Sequence, residues 1–130
     1  DRKLDAAIAW ALMSIQSAKA VEIGDGFETV RRPGSGAHDE IVRDGESLTR
    51  SSNRAGGIEG GTSNGQPVVA RVGFKPISTV PRPLASVDLS TGEASSAFHQ
   101  LSDTCQVVPG AVIAEAMVAL VLAQALTVRF

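Results

Sequence analysis

Cysteine is nearly absent from this chain, tyrosine is absent altogether, and neither sign of charge is in excess. The single cysteine, Cys105, has no partner for an internal disulfide, which suits a reducing compartment. We expect it to be a small buried hydrophobic residue. With 12 basic and 14 acidic residues the formal net charge is -2. The composition therefore favours neither nucleic acid nor an anionic membrane as a partner.

Targeting and nucleotide-binding signatures are also missing. The chain begins with mostly charged residues that lead into a helical pattern, so we expect no signal peptide. It has no initiator methionine, and we expect it to start inside a longer protein. The sequence contains no Gly-x-x-x-x-Gly-Lys loop, and its glycines do not follow the Gly-x-Gly-x-x-Gly spacing. A small phosphate- or nucleotide-binding domain is therefore the weakest of three functional hypotheses.

The order of the predicted elements indicates the fold class. At 130 residues the chain is one domain or part of one. Apolar periodicity and turn residues predict helices at 4–15, 27–32 and 110–128, strands at 20–23, 68–74 and 85–89, a hairpin at 41–50, and loops at 34–40 and 99–109. Strands and helices do not alternate as in a doubly wound sheet. The pattern therefore predicts an α+β fold, an antiparallel sheet with helices.

The last predicted helix is apolar nearly all round. Residues 111–128 carry Glu115 and Gln124, and the segment lacks a basic flank before it. A buried core helix or a subunit-interface helix therefore explains the pattern better than a membrane span. Glu115 is expected to pair across an interface or to lie near the helix start, where the dipole favours it.

The glycine-rich stretch at 51–67 holds five of the 13 glycines. Ordering such a segment is costly, because glycine loses the most backbone freedom on folding. Two interpretations stay open: a loop whose backbone closely approaches a ligand, or a flexible hairpin, which composition alone favours. Because Ile58 has almost no apolar neighbours in sequence, we predict that the stretch is not a core element.

A cluster of possible metal ligands, His38, Asp39 and Glu40, precedes that stretch. Adjacent side chains rarely point at one centre. We therefore predict a solvated loop there and no metal site.

Seven stretches together resemble the chorismate synthase family. They lie at residues 11–16, 21–27, 53–61, 75–79, 86–89, 102–105 and 114–122. Their order and spacing across nearly the whole chain make the resemblance specific. It implies the C-terminal portion of the family's chain over residues 1–130, part of a β-α-β sandwich. Within that portion the resemblance places flavin-pocket loops at 51–67, 75–79 and 99–109.

The resemblance also implies a function. The family eliminates phosphate and a ring proton from 5-enolpyruvylshikimate 3-phosphate in an anti-1,4 sense, giving chorismate. It requires reduced FMN, is linked to NADP, forms a homotetramer and acts in the cytoplasm in the shikimate pathway of aromatic amino acid biosynthesis. This is the lyase hypothesis, in which the isolated chain has little or no turnover. Neither a nucleic acid nor a membrane is expected as a partner.

Site residues follow from the resemblance position by position. Gln16 and Ser17 match a flavin-contacting pair, Gly60 matches a glycine against the flavin, and Asp103 matches an acid proposed to help proton removal. A flavin-binding loop matches Lys75, Pro76, Ile77, Ser78 and Thr79. Lys75 could stabilise negative charge on the ring, although a solvated lysine at a strand end is the alternative. For Asp103 the alternative is a cap or turn aspartate.

One departure from the family motivates the second hypothesis. Where the family has an arginine just before Ser102 and Asp103, this chain has Leu101, which offers neither a charge nor a hydrogen bond. The alternative function is therefore a non-catalytic module for flavin binding, phosphate binding or oligomerisation that kept the scaffold. His99 does not match a family catalytic histidine, and we interpret it as a surface or interface residue. Arg54 is interpreted as a surface arginine on a mobile loop.

Overall fold

The chain was studied as a computed structural model that describes residues 3–78, 80–98 and 105–129. Over these ranges the elements are α1 (Leu4–Met13), β1 (Ala18–Ile23), α2 (Phe27–Arg31), α3 (Gly34–Ala37), β2 (Ile41–Asp44), β3 (Ser47–Arg50), β4 (Ile58–Glu59), β5 (Thr62–Ser63), β6 (Ala70–Phe74), β7 (Ala85–Val87), β8 (Ala94–Ser96) and α4 (Val107–Arg129). The described strands form four two-stranded antiparallel pairs, β1–β6, β2–β3, β4–β5 and β7–β8. The predicted α+β class with antiparallel pairing is confirmed.

The core lies between α1 and the β1–β6 ladder. Ile8 and Leu12, one helical turn apart on α1, are its fully buried large side chains. Partly buried apolar residues in and next to α1, β1, β6 and α4 pack against them. These residues are Leu4, Ile15, Val21, Ile23, Val68, Ala70, Ala114, Val118 and Val121. The helical spacing of the α1 residues therefore correctly predicted which face is buried.

Ile58 is a correction to the sequence prediction. It is 6% exposed and belongs to the core cluster with Ile8 and Leu12. The glycine-rich stretch carries it there through the β4–β5 pair, in which Ile58 lies opposite Ser63. Burial depends on what the fold brings over a side chain. The apolar content of its sequence neighbours was therefore a poor guide.

The same stretch does form a hairpin, β4–β5, but its preceding turn is packed closely against the rest of the chain. A Cβ added to Gly56 would lie 2.4 Å from the Gly24 nitrogen, and Gly56 has φ +65°. Two backbone hydrogen bonds fix this approach, from Gly24 N–H to the Val69 carbonyl at 2.8 Å and from Val69 N–H to the Gly56 carbonyl at 3.0 Å. Only glycine fits at this contact.

The loop predicted at 34–40 contains regular structure, and the strand predicted at 85–89 is part of a hairpin. Residues 34–37 form the short helix α3 after Pro33, and Asp39 is buried with only 4% exposure. The solvated-loop interpretation of His38, Asp39 and Glu40 is therefore wrong for Asp39. At 85–96 the chain forms a hairpin of β7 and β8 closed by a turn in which Gly92 N–H donates to the Asp88 carbonyl.

The last helix begins earlier than predicted. α4 starts at Val107, so three residues assigned to the 99–109 loop are helical. Residues Val107–Val128 are long and apolar enough to cross a membrane by length and composition, with mean hydropathy 2.1. One side of α4 packs on the core through Ala114, Val118 and Val121. The opposite side is exposed, and no residue of the most apolar window of α4 is buried inside the single chain. The buried-core interpretation is therefore not confirmed, and the interface interpretation stays a prediction.

Candidate functional site

An open cavity of about 280 Å³ lies beside the glycine-rich stretch. Its walls come from α2, from the end of α3 and the two residues after it, and from the turn and first strand of the stretch. The lining residues are Thr29, Ala37, His38, Asp39, Ala55, Glu59 and Gly60. The cavity is therefore lined both by Gly60, the glycine predicted to contact flavin, and by His38 and Asp39, for which the sequence predicts a solvated loop.

Asp39 is the buried charge of this cavity. Its carboxylate accepts hydrogen bonds from the Ser52 hydroxyl, from Arg54 N–H at 2.9 Å and from Ala55 N–H at 2.9 Å. Burial raises the pKa of Asp39. The hydrogen bonds from Ser52, Ala55 and Arg54, with the Arg54 charge, outweigh burial and hold the pKa below its usual value. The side chain is therefore a carboxylate at neutral pH.

Two further polar groups complete the wall. Glu59 pairs with Arg50 at 2.7 Å and accepts a hydrogen bond from the Asn64 amide at 2.7 Å. The Thr29 hydroxyl is buried and has no hydrogen-bond partner among the described residues.

Gly60 opens onto the cavity without a neighbour behind it. Its φ is +59°, and a Cβ added there would meet no heavy atom within 4 Å. The next residue, Gly61, is packed instead, because a Cβ there would lie 2.8 Å from the Lys3 side chain. Gly60 therefore presents bare backbone to open space, which a flat ligand can approach closely.

A second group of predicted site residues lies where β1 and β6 meet. Lys75 N–H donates to the Ser17 carbonyl at 2.9 Å, and Ala18 pairs with Phe74. Ser17 has φ +68°, a left-handed conformation that is uncommon for serine. The structure thus brings the predicted pair Gln16 and Ser17 beside the predicted loop that starts at Lys75, whose side chain is exposed.

The two groups lie at opposite ends of α1. At its first residue, Leu4 N–H donates to the Gly61 carbonyl at 2.8 Å. Ser17 follows its last turn, and ten helical residues span about 15 Å. Residues 75–78 do not line the cavity at Gly60. A single chain therefore does not bring the two predicted flavin-binding segments into this cavity. Thr79 and the predicted acid Asp103 lie outside the described residues, as do His99 and Leu101.

An apolar groove of about 590 Å³ separates α4 from β6. Its lining residues are Leu12, Val68, Ala70, Arg71, Val72, Phe74, Val107, Ala111, Ala114, Glu115, Val118, Ala119 and Leu122. Glu115 faces this groove and has no ion pair in the part of the chain that the structure describes. The predicted pairing of Glu115 across an interface stays a prediction, whereas the helix-start alternative is wrong because α4 begins at Val107 and Glu115 lies in its third turn.

The structure also places Cys105 and the possible metal ligands among the described residues. Cys105 is exposed, which corrects the prediction that it is buried, and its sulfur accepts a hydrogen bond from Val107 N–H at 3.4 Å. Across 3–78, 80–98 and 105–129, no group of three or more His, Cys, Asp or Glu residues could hold a metal ion.

Sequence reasoning missed Asp39 and Thr29 and misread Arg54. Arg54 is half-buried, and its guanidinium donates to the His38 carbonyl at 3.2 Å. Asp39 meets its partners 13 to 16 residues later in the chain. No local sequence pattern predicts such a contact. The β2–β3 hairpin separates Asp39 from the glycine-rich stretch in sequence, so the sequence around Asp39 predicts only a polar loop.

Comparison with known proteins gives one consistent answer. The chorismate synthase family model matches residues 1–127. The chain is 58% identical over all its 130 residues to the chorismate synthase of Mycolicibacterium vanbaalenii and covers 32% of that protein. It is 59% identical to the chorismate synthase of Pseudarthrobacter chlorophenolicus, of which it covers 33%.

The fold agrees with the sequence. A crystal structure of chorismate synthase superposes on 99% of this chain with a TM-score of 0.76 and 43% identity, and the chain covers 32% of that structure. The chain thus spans about a third of the length of the curated relatives it matches. Family match, identity and fold agree over nearly every residue, and the chain belongs to the chorismate synthase family.

Proposed function

We propose that this chain supplies part of the cofactor-binding wall of a chorismate synthase, a lyase acting on 5-enolpyruvylshikimate 3-phosphate with reduced FMN. One observation carries the proposal. Gly60, the residue that the family resemblance places against flavin, presents bare backbone to a cavity, with no atom within 4 Å of an added Cβ. The φ of +59° in the β4–β5 turn favours a glycine at position 60. Unlike Gly56 and Gly61, Gly60 has no protein atom packed where its Cβ would be.

The residues present fit the chemistry of FMN. A flat aromatic ring needs a wall free of side chains, which Gly60 provides at the cavity. Lys75 is an exposed cation beside Gln16 and Ser17, a suitable partner for an anionic group. Because Gly60 and Lys75 lie at opposite ends of α1, further walls must come from outside this chain.

The chemistry divides between the cofactor and the protein. When bound, reduced FMN supplies an electron-rich ring to an elimination that involves no net redox change. We propose that Lys75 stabilises negative charge next to Gln16 and Ser17, and that Pro76, Ile77, Ser78 and Thr79 continue this wall. Asp103 is proposed to hold or move the proton at its carboxylate. Cationic groups that stabilise the departing phosphate are proposed to come from the rest of the enzyme.

The assembly and location belong to the same proposal. We propose a homotetramer acting in the cytoplasm, in the shikimate pathway, with 5-enolpyruvylshikimate 3-phosphate as substrate and flavin reduction linked to NADP. The exposed apolar side of α4 supports an assembly, since Val112, Leu120 and Leu126 are all more than half exposed in the single chain.

A chimera tests the proposed function. The 130 residues replace the matching stretch of the Mycolicibacterium vanbaalenii chorismate synthase, and chorismate formation is measured with reduced FMN and the enolpyruvyl substrate. We expect turnover by the chimera and little or none by the isolated chain, because the chain spans only a third of its relatives. The unmodified relative is the positive control, and robust turnover by the isolated chain would show that its predicted inactivity is wrong.

The non-catalytic module is the second candidate, and Leu101 favours it because leucine replaces the family arginine. The same chimera separates the two. A folded chimera that binds FMN without turnover would support the module and contradict the lyase. A chimera that turns over substrate excludes the module.

A further inference from the structure

We infer that Asp39 is a positioning residue that holds the glycine-bearing wall of the cofactor site in place. The inference rests on the proposed function, since it assigns the ligand of the cavity at Gly60 to FMN. Asp39 acts through Ser52, Arg54 and Ala55, and the effect on the cofactor is transmitted along the chain from Ala55 to Gly60.

The geometry of the carboxylate supports this role. Its two oxygens accept three hydrogen bonds, two of them from consecutive backbone N–H groups, Arg54 and Ala55, both at 2.9 Å. The Ser52 hydroxyl supplies the third. A buried carboxylate with this many donors fixes both the direction and the depth of the turn that begins at residue 53.

The backbone around Asp39 is anchored to the same turn from both sides. The Arg50 guanidinium donates to the Asp39 carbonyl at 3.0 Å, and the Arg54 guanidinium donates to the His38 carbonyl at 3.2 Å. In addition, Ser51 N–H donates to the Glu40 carbonyl at 2.9 Å. Residues 38–40 and 50–55 therefore behave as one unit, with the Asp39 carboxylate at its centre.

The unit connects directly to the open glycine. After Ala55 the chain passes through Gly56, Gly57 and Ile58, all buried, and Gly57 N–H donates to the Asn53 side chain at 2.7 Å. Ala55 and Gly60 then line the same cavity as Asp39 itself. A shift of the turn at 54–55 therefore changes the shape of the cavity that Gly60 opens onto.

The test uses the chimera with Asp39→Asn, an isosteric change that places amide hydrogens against donor groups. FMN affinity is measured by flavin fluorescence and absorbance titration. We expect the FMN Kd to rise about tenfold, as for loss of one charged hydrogen bond, with kcat at saturating FMN changed less than about twofold. Ser52→Ala removes a single donor and is expected to raise Kd about threefold, which keeps the inference testable should Asp39→Asn not fold.

Asp88→Asn is the matched control. The Asp88 carboxylate also accepts hydrogen bonds from two backbone N–H groups and a hydroxyl, those of Ser90 and Thr91, but in the exposed β7–β8 turn. We expect no change in FMN Kd for this variant.

The outcomes separate three explanations. A raised FMN Kd in Asp39→Asn with an unchanged Asp88→Asn supports the positioning role. A lowered melting temperature with an unchanged Kd in the folded fraction shows a merely structural role and overturns the inference. If the unsubstituted chimera binds no FMN, the proposed function itself fails, and the inference fails with it.

Discussion

Gly60 is the residue at which sequence and structure agree most closely on a ligand. The stretch at 51–67 has five glycines. Gly56, Gly57 and Gly61 are closely packed, and Gly65 has open space but does not line the cavity. Gly60 alone of the five both has open space at its Cβ and lines the cavity. Its value is therefore the absence of a side chain. We expect a methyl group there to be tolerated by the fold but to weaken ligand binding.

We predict that Gly60→Ala in the chimera folds but loses FMN affinity. At φ +59° the alanine costs about 1 to 2 kcal/mol of unfolding free energy, and it adds a methyl group at a residue that lines the cavity. We expect the FMN Kd to rise at least about tenfold, which is about the binding free energy of one contact with a charged group. Flavin titration and urea unfolding measure the two effects.

Gly45→Ala is the matched control for Gly60→Ala. Gly45 has φ +61° and likewise has no atom within 4 Å of an added Cβ, but it lies in the β2–β3 turn and lines neither described cavity. It should show the same loss of stability and no loss of FMN affinity. Equal FMN affinity in both variants would argue against a ligand at Gly60.

The lowered pKa of Asp39 leads to a prediction about how the free energy of unfolding depends on pH. Its pKa in the folded chain lies below the ordinary 3.8, so the folded state binds this proton more weakly than the unfolded state. The stabilisation by Asp39 is therefore fully present above the unfolded pKa and is lost as pH falls through the folded pKa. Near pH 6 we expect Asp39→Asn to lower the unfolding free energy by about 1 to 3 kcal/mol.

Urea unfolding of the full chain and of Asp39→Asn between pH 6 and pH 3 measures this dependence. The difference in unfolding free energy between the two should shrink below about pH 4 as the carboxylate becomes protonated. A difference that stays constant across this range would mean that the charge of Asp39 contributes nothing.

At the scale of elements, α1 holds the candidate site together. It carries both fully buried large side chains, Ile8 and Leu12. The backbone N–H of its first residue donates a hydrogen bond to the Gly61 carbonyl in the glycine-rich stretch. Its C-terminal end leads into Ser17, whose carbonyl accepts a hydrogen bond from Lys75 N–H. The packing of α1 on the β1–β6 ladder therefore sets how far apart the two groups of predicted ligand residues lie.

We predict that Leu12→Ala destabilises the chain by about 2 to 5 kcal/mol, because it leaves a cavity in the core beneath α1. Trp10→Ala on the same helix serves as the control. Although it removes a larger side chain, Trp10 is 72% exposed, and the expected change is within about 0.5 kcal/mol. Urea unfolding of both variants checks this, and similar losses would show that the α1 face is assigned wrongly.

At the scale of the whole molecule, the chain leaves much of its apolar surface open. The described sheets have two strands each, and such ribbons are weak without further strands or packing. The groove between β6 and α4 is lined almost wholly by apolar side chains, apart from Arg71 and Glu115. This matches a chain that spans about a third of its relatives' length and supports a site completed from outside it.

Local patterns were enough to predict much of the fold. The helical spacing of Leu4, Ile8 and Leu12 predicted the buried face of α1, and the turn at Asp44 and Gly45 predicted the β2–β3 hairpin. Family motifs, spread over nearly the whole chain, were enough to identify the chorismate synthase family. These features are encoded within a few residues of one another or in fixed motifs, so no knowledge of distant contacts was required.

Other features depended on contacts between distant segments. The burial of Ile58, the hydrogen bonds of Asp39 to Ser52, Arg54 and Ala55, and the close approach of Gly24 to Gly56 join residues 13 or more positions apart, or core elements that meet only in the fold. The physical reason is that burial and hydrogen bonding are decided by neighbours in space. The sequence by itself determined the family and the principal elements, and only the tertiary structure decided that a glycine-rich stretch is packed and that a buried carboxylate holds it.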